Sequence, residues 1–248
     1  YGKTYTRQEL ARLTPDITHL GGVRLCELAD GNERGVRVAQ FRTGSGFAFD
    51  ILLDRGMDIG HAEHNGRPIS WQSAVGFSHP AYFQAEGLAG FLRTFHGGLM
   101  VGCGLDNVGS PSVDAGETLP LHGRLSNIPA SHVSYGSQWI GDEYRMWAEG
   151  QVRQTVVFGA NLLLTRRIST YLGGDTLLIE DTLENQGFAQ TPYQILYHCN
   201  FGFPLLSPDS ELMIDSEVRP RDEEAKKGLD RYNRFDPPQP HYPEQVFY

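Results

Sequence analysis

Short apolar runs, each broken by a turn rich in glycine, asparagine or aspartate, fill most of this chain. Alternating apolar and polar positions mark half-buried strands, and clusters of turn residues bound them. Strands are expected at 23–28, 36–41, 47–53 and 57–62, separated by Asp30-Gly31-Asn32 and Gly44-Ser45-Gly46. Asn65-Gly66 is a hairpin signal, with 68–71 as the returning strand, so this part reads as an antiparallel meander. Four longer strands are expected over 131–139, 143–157, 161–171 and 175–185, joined by Gly141-Asp142, Gly159-Ala160 and Gly173-Gly174-Asp175. One more follows Pro192, in the stretch YQILYHCNFGF at 193–203. Thr6 and Glu9 fit a capping box, which predicts a short helix over 7–13, ended before Pro15.

Three segments break the pattern. Residues 73–95 read as an irregular excursion with a short helix at 80–86, 106–118 as a long loop, and 215–245 as a charged, proline-rich surface excursion or linker. Nothing alternates strand and helix as a parallel doubly wound sheet requires. The expectation is one all-β, antiparallel domain spanning 1–248.

The 248 residues carry Lys+Arg 21 against Asp+Glu 30, a formal net charge of -9. Such a balance argues against nucleic acid, which is held mainly through basic contacts to phosphate. No apolar run reaches the roughly 18 residues of a membrane helix. The three cysteines (Cys26, Cys103, Cys199) are far apart and form no CxxC, which fits a reduced, cytoplasmic setting. The chain opens on Tyr1 rather than Met, as a trimmed chain would, so an export signal removed beforehand stays open.

Four stretches carry candidate chemistry. On the 193–203 strand, Gln194, Leu196, His198 and Asn200 share one face. Buried polar groups need partners, so these either satisfy one another in the core or face a polar ligand. In LPLHGRLS at 119–126, read as a strand, His122, Arg124 and Ser126 share a face. There a guanidinium fork beside an imidazole suits an oxygen-rich ligand, or the strand is ordinary polar surface. In RTFHGGLMVGCGLDN at 93–107, His96 precedes Gly97-Gly98 and Asn107 closes the run. Gly102 and Gly104 lack a third glycine in register and a following helix, so a dinucleotide loop is rejected. Arg55, in DRGMDIG at 54–60, sits among Leu53, Met57 and Ile59, either snorkelling or bound to an anion or a sugar hydroxyl. The cluster His61-Ala62-Glu63-His64 does not converge on one face and abuts a turn, so no metal site is expected there. Convergence of His61, His64, His96 and His122 on a metal is the competing picture, and metal analysis would decide it.

HGRLS at 122–126, followed by YHCNFGFPLL at 197–206, resembles the aldose 1-epimerases, or galactose-mutarotase-like proteins. RGMDIG, GGLMVGCGLDN and LPLHGRLSNIPA resemble an uncharacterised bacterial branch of that superfamily. The resemblance covers about 50–206. It implies an antiparallel β-supersandwich, a cleft for a sugar or sugar derivative on the concave sheet, epimerisation at the anomeric carbon, and no cofactor. A base takes the anomeric hydroxyl proton while an acid protonates the ring oxygen. The ring opens, C1–C2 rotates, and closure occurs on the other face. An imidazole, with an ordinary pKa of about 6.5, can give or take a proton near neutrality. By the resemblance, His198 is the acid and His122 binds and polarises. Arg124, Asn200, Arg55, His96, Gln194 and Asn107 are candidates for holding hydroxyls. The family's base is a glutamate late in the fold in an E-P-like context, and no such motif occurs before residue 248; Glu180 and Glu244 stand in other settings. Either the natural protein continues and this chain is short of the fold's last strands, or another carboxylate serves. A non-catalytic sugar-binding protein of the same fold is the alternative.

Overall fold

The computed structural model describes residues 3–85 and 87–248. Thr6 and Glu9 form the expected capping box on α1 (Arg7–Leu13). The meander follows as β1 (Gly22–Glu27), β2 (Arg37–Arg42), β3 (Phe47–Leu52) and β4 (Asp58–His64). The expected return at 68–71 is two short pieces, β5 (Arg67–Pro68) and β6 (Trp71–Gln72), because Pro68 has no N–H with which to extend a ladder. In the excursion a 3-10 turn at Pro80–Tyr82 stands where the helix over 80–86 was expected, and Glu86 lies outside the described residues. The helix α2 occupies Gly87–Leu92. Next come β7 (Gly97–Gly98) and β8 (Met100–Leu105), then a small hairpin, β9 (Ser112–Asp114) and β10 (Glu117–Leu119), inside what reads as a loop in sequence.

The four long strands appear as β11 (Ser131–Ile140), β12 (Glu143–Thr155), β13 (Asn161–Tyr171) and β14 (Leu178–Asn185), and β15 (Gln194–Cys199) carries His198. Pairing is antiparallel throughout these strands. One sheet runs β1-β2-β3-β4-β8-β15, with β5 on β4, and the other runs β11-β12-β13-β14. Period-2 alternation lets each present one face to the other. Ala39, Phe41, Phe49, Ile51 and Ile59 of the first join Met146, Ala148, Val152, Leu164 and Ile168 of the second in one buried cluster. Phe41 stacks on Phe49 with centroids 4.7 Å apart. Each such side chain fully buried contributes about 1.5–3 kcal/mol, which is what holds the two sheets face to face.

LPLHGRLS is not a strand. β10 ends at Leu119, the Gly123 N–H donates to Pro120 O at 3.1 Å, and Leu125–Asn127 is a 3-10 turn. His122 and Gly123 both lie in the left-handed region, at φ 56° and 71°. Two such residues in succession reverse the chain, so His122 and Arg124 are set by a turn instead of by a shared strand face. Gly123 has no substitute here, since a Cβ would meet Gly104 O at 2.3 Å.

The chain divides into two compact units, one running to Asn200 and one over Phe201–Tyr248. The second holds α3 (Glu223–Lys226), capped by Asp222, and isolated bridges Glu211–Arg234 and Pro220–Phe247. Apart from a 3-10 turn at Leu229–Arg231 its remainder is irregular, with Arg231 and Tyr242 both bonded to Asp236.

Candidate functional site

β15 pairs with β8 so that His198 lies opposite Val101. Alternation then divides β8 between two environments. Met100 belongs to the core between the sheets, while Val101 and Cys103 face outward into a separate cluster with Phe91, Phe95, Val108 and Leu121. His122 and His198 close this cluster. Their rings are edge to face, 5.5 Å between centroids. Phe95 lies 5.5 Å from His198, Phe91 lies 5.1 Å from His122, and Phe91 stacks on Phe95 at 5.1 Å. Two imidazoles far apart in sequence therefore stand together in a ring-lined setting on the outer face of the larger sheet.

His122 is held by its turn. Its N–H donates to Gly109 O at 3.0 Å, and its Nδ1 accepts the Gly109 N–H at 3.2 Å. A neutral His122 therefore carries its proton on Nε2 and donates from there. In His198, Nδ1 is buried and has no hydrogen-bond partner among the described residues. Asn200 donates from Nδ2 to the His198 carbonyl at 3.0 Å, bracing the end of the strand.

Arg124 forms an ion pair with Asp106 and approaches Glu117 at 3.6 Å. The second Asp106 oxygen is buried without a partner among the described residues and lies against Gly123. The amides of Asn107 and Gln194 are engaged by backbone. Asn107 Nδ2 donates to Ser110 O at 3.0 Å and Pro120 O at 2.8 Å, and Gln194 Oε1 accepts the Val108 N–H at 2.9 Å. Both brace the loop that leads to the His122 turn.

Arg55 and His96 lie elsewhere. Arg55 neither snorkels nor meets an open cleft, with 1% of its surface exposed. Its guanidinium donates to Ser126 O at 2.7 Å, Ser78 O at 2.8 Å and Thr94 O at 2.9 Å, tying three loops together. His96 is fully buried, 3.8 Å from Asp58 and edge-on to Phe77. Asp58 accepts from the Gly102 N–H at 2.8 Å and the Ser126 hydroxyl at 2.5 Å. Burial pushes the Asp58 carboxyl up to about 7 and the Arg55 guanidinium down to about 10. It also holds His96 well below its ordinary value, hence neutral.

A second buried pair escaped the reading of motifs. Arg166, 0% exposed, grips Asp181 through Nε at 2.9 Å and Nη2 at 2.7 Å, and Tyr197 donates to the same carboxylate at 2.9 Å. Its signal was present in the alternation Leu162, Leu164, Arg166, Ile168, where one cation interrupts an apolar row. The register across the Gly173-Gly174 turn sets Asp181 directly opposite. Phe91 and Phe95 had no local signal, because their role depends on β8 and β15 meeting.

Among the described residues, no group of three or more His, Cys, Asp or Glu is placed to hold a metal ion, so His61, His64, His96 and His122 do not converge on one. No described helix is long and apolar enough to cross a membrane.

A family profile described as "Domain of unknown function (DUF4432)" matches residues 33–248. No curated protein matches the chain. Among solved structures, a Klebsiella pneumoniae subsp. pneumoniae MGH 78578 protein provisionally assigned as an aldose 1-epimerase superposes with a TM-score of 0.84 at 28% identity. The alignment covers 91% of this chain and 59% of that one, so the chain spans under two thirds of the other's length. A galactose 1-epimerase from Lactobacillus acidophilus NCFM aligns over 60% of this chain and 44% of its own, at 10% identity and a TM-score of 0.35, too loose a superposition to carry an argument. The fold is thus that of an aldose 1-epimerase-like protein, as the motifs led one to expect.

Proposed function

The chain belongs to the family described as a domain of unknown function (DUF4432), and within it we propose that this member binds a sugar and epimerises it at the anomeric carbon. The observation that carries the reading is the edge-to-face pair of His122 and His198, 5.5 Å apart on the outer face of the larger sheet. A sugar ring has an apolar face that suits Phe91 and Phe95 and a rim of hydroxyls that suits imidazole and guanidinium. His198 gives its proton to the ring oxygen as the C1–O bond breaks, and recovers it on closure. His122, protonated on Nε2, donates to a neighbouring hydroxyl and fixes the ring against rotation. Arg124 extends the donor set. The proton of the anomeric hydroxyl leaves to a carboxylate on opening and returns from it to the new anomeric oxygen on closure.

A second reading, a sugar-binding protein without turnover, is favoured by one observation. Asp106, the carboxylate lying against the His122 turn, is already held in an ion pair by Arg124. Crystals soaked with a panel of aldoses separate the outcomes. The proposal expects sugar density between His122 and His198, with the ring oxygen within about 3 Å of His198. Density elsewhere on the molecule would remove the site. A bound sugar whose anomers do not interconvert faster than in buffer would leave the binding reading standing.

A further inference from the structure

On the same outer face, three strands from β15, a concavity of about 990 Å³ lies over β1–β4. Two cross-strand rows form its floor. Arg24 pairs with Gln40 and Gln40 with Asp50, and beside them Arg42 pairs with Ala48 and Ala48 with Glu63. Directly paired residues point to the same side, so this is a patch with both cations on β1 and β2 and both acids on β3 and β4. A neutral residue separates each cation from its acid, leaving them two strand spacings apart, roughly 9.6 Å between backbones. Among the described residues none of these four charges forms an ion pair within 4.0 Å; Arg42 reaches only the Thr18 carbonyl, at 3.3 Å. Elsewhere the fold pairs its charges readily, Arg37 with Asp54 and Arg167 with Glu149 among them. Asp50 is half-buried; burial raises its carboxyl, while His61 nearby and a hydrogen bond with the Gln40 side chain act the other way. His61 borders the acidic side, its ring fixed edge-on to Phe77 at 4.9 Å.

We propose that this patch is a second ligand site, for a small zwitterion whose carboxylate meets Arg24 and Arg42 and whose ammonium meets Asp50 and Glu63. Two guanidiniums on one side match a carboxylate, and two acids on the other match an ammonium. The neutral lane of Gln40 and Ala48 leaves room for the chain joining them. A linker of several atoms fits the span, as in an ω-amino acid or a dipeptide. At roughly three strand spacings from β15, about 14 Å, the site is separate from the His122–His198 pair and stands or falls independently of the function proposed for it.

Titration of the ¹⁵N-labelled protein with 6-aminohexanoate tests this, with hexanoate and hexylamine as single-charge controls. The expected result is perturbation of amides in β1–β4 and affinity at least tenfold above either control. Replacing both arginines (R24Q/R42Q) or both acids (D50N/E63Q) abolishes the advantage, while H198A leaves it unchanged. The idea is overturned if 6-aminohexanoate causes no shifts there, if hexanoate binds equally well, or if either pair of substitutions leaves the affinity intact.

Discussion

The first unit holds two polar clusters, one of buried arginines and carboxylates and one of two imidazoles, and they use their hydrogen-bonding capacity differently. In the first, Arg55 donates to three carbonyls, Arg166 grips both oxygens of Asp181, and Asp58 takes a hydroxyl and an amide. On the outer face, His122 and His198 meet each other and phenylalanine rings. An arginine on an apolar strand is therefore weak grounds for a binding site. What sets the outer pair apart is two imidazoles held among aromatic rings, with His122 anchored through Nδ1 to the Gly109 N–H.

The largest effect on stability is expected at Arg166. Arg166→Leu strands a buried carboxylate and should cost about 3–5 kcal/mol, while the double change Arg166→Leu/Asp181→Leu should recover much of that loss. Urea unfolding of both variants reads this directly. A single change costing under 1 kcal/mol would show that the pair holds nothing together.

Arg55→Met comes next. It leaves the carbonyls of Ser78, Thr94 and Ser126 without their donor, a loss of about 2–3 kcal/mol from unsatisfied buried groups. If Arg55 instead bound ligand, the same variant would keep its denaturation midpoint and lose sugar affinity.

Titration sharpens the contrast further. The Asp58 carboxyl is raised from 3.8 to about 7 in the fold, so the folded protein keeps a proton that the unfolded chain releases. Its stabilising contribution is full below pH 3.8 and is lost as pH rises towards 7. His96 runs the other way: its depressed value makes the folded protein lose stability as pH falls below 6.5. Asp58→Asn removes the first slope and keeps the second, so its stability should climb with pH between 4.5 and 6.5 more steeply than that of the wild type. Superimposable profiles would contradict the buried, proton-retaining carboxyl.

The smallest effect on stability is expected at Arg124. Its partly exposed pairing with Asp106 is worth about 0–1 kcal/mol, so Arg124→Ala should barely move the unfolding midpoint yet weaken sugar binding in calorimetry. Large destabilisation with unchanged binding would place Arg124 with Arg55 as a structural residue.

Most of the strand framework was readable because period-2 alternation is a local property, and β11–β14 lie within a few residues of their expected ends. The His122 segment was not, since successive left-handed residues at His122 and Gly123 depend on the approach of Gly104 from a distant strand. Arg55 misled because sequence gives the apolar neighbours of a cation but not the carbonyls that three separate loops bring to it. The pairing of His122 with His198 carries no local trace; resemblance to aldose 1-epimerases singled out both, and the fold sets them side by side.

His198→Ala tests the central claim most directly, with mutarotation of the best-bound aldose followed by polarimetry and folding followed by urea unfolding on the same sample. Loss of a positioned acid should slow mutarotation by about 10²–10⁴-fold with the unfolding midpoint unchanged. A variant that interconverts anomers at the wild-type rate would contradict the assignment of His198 as the acid.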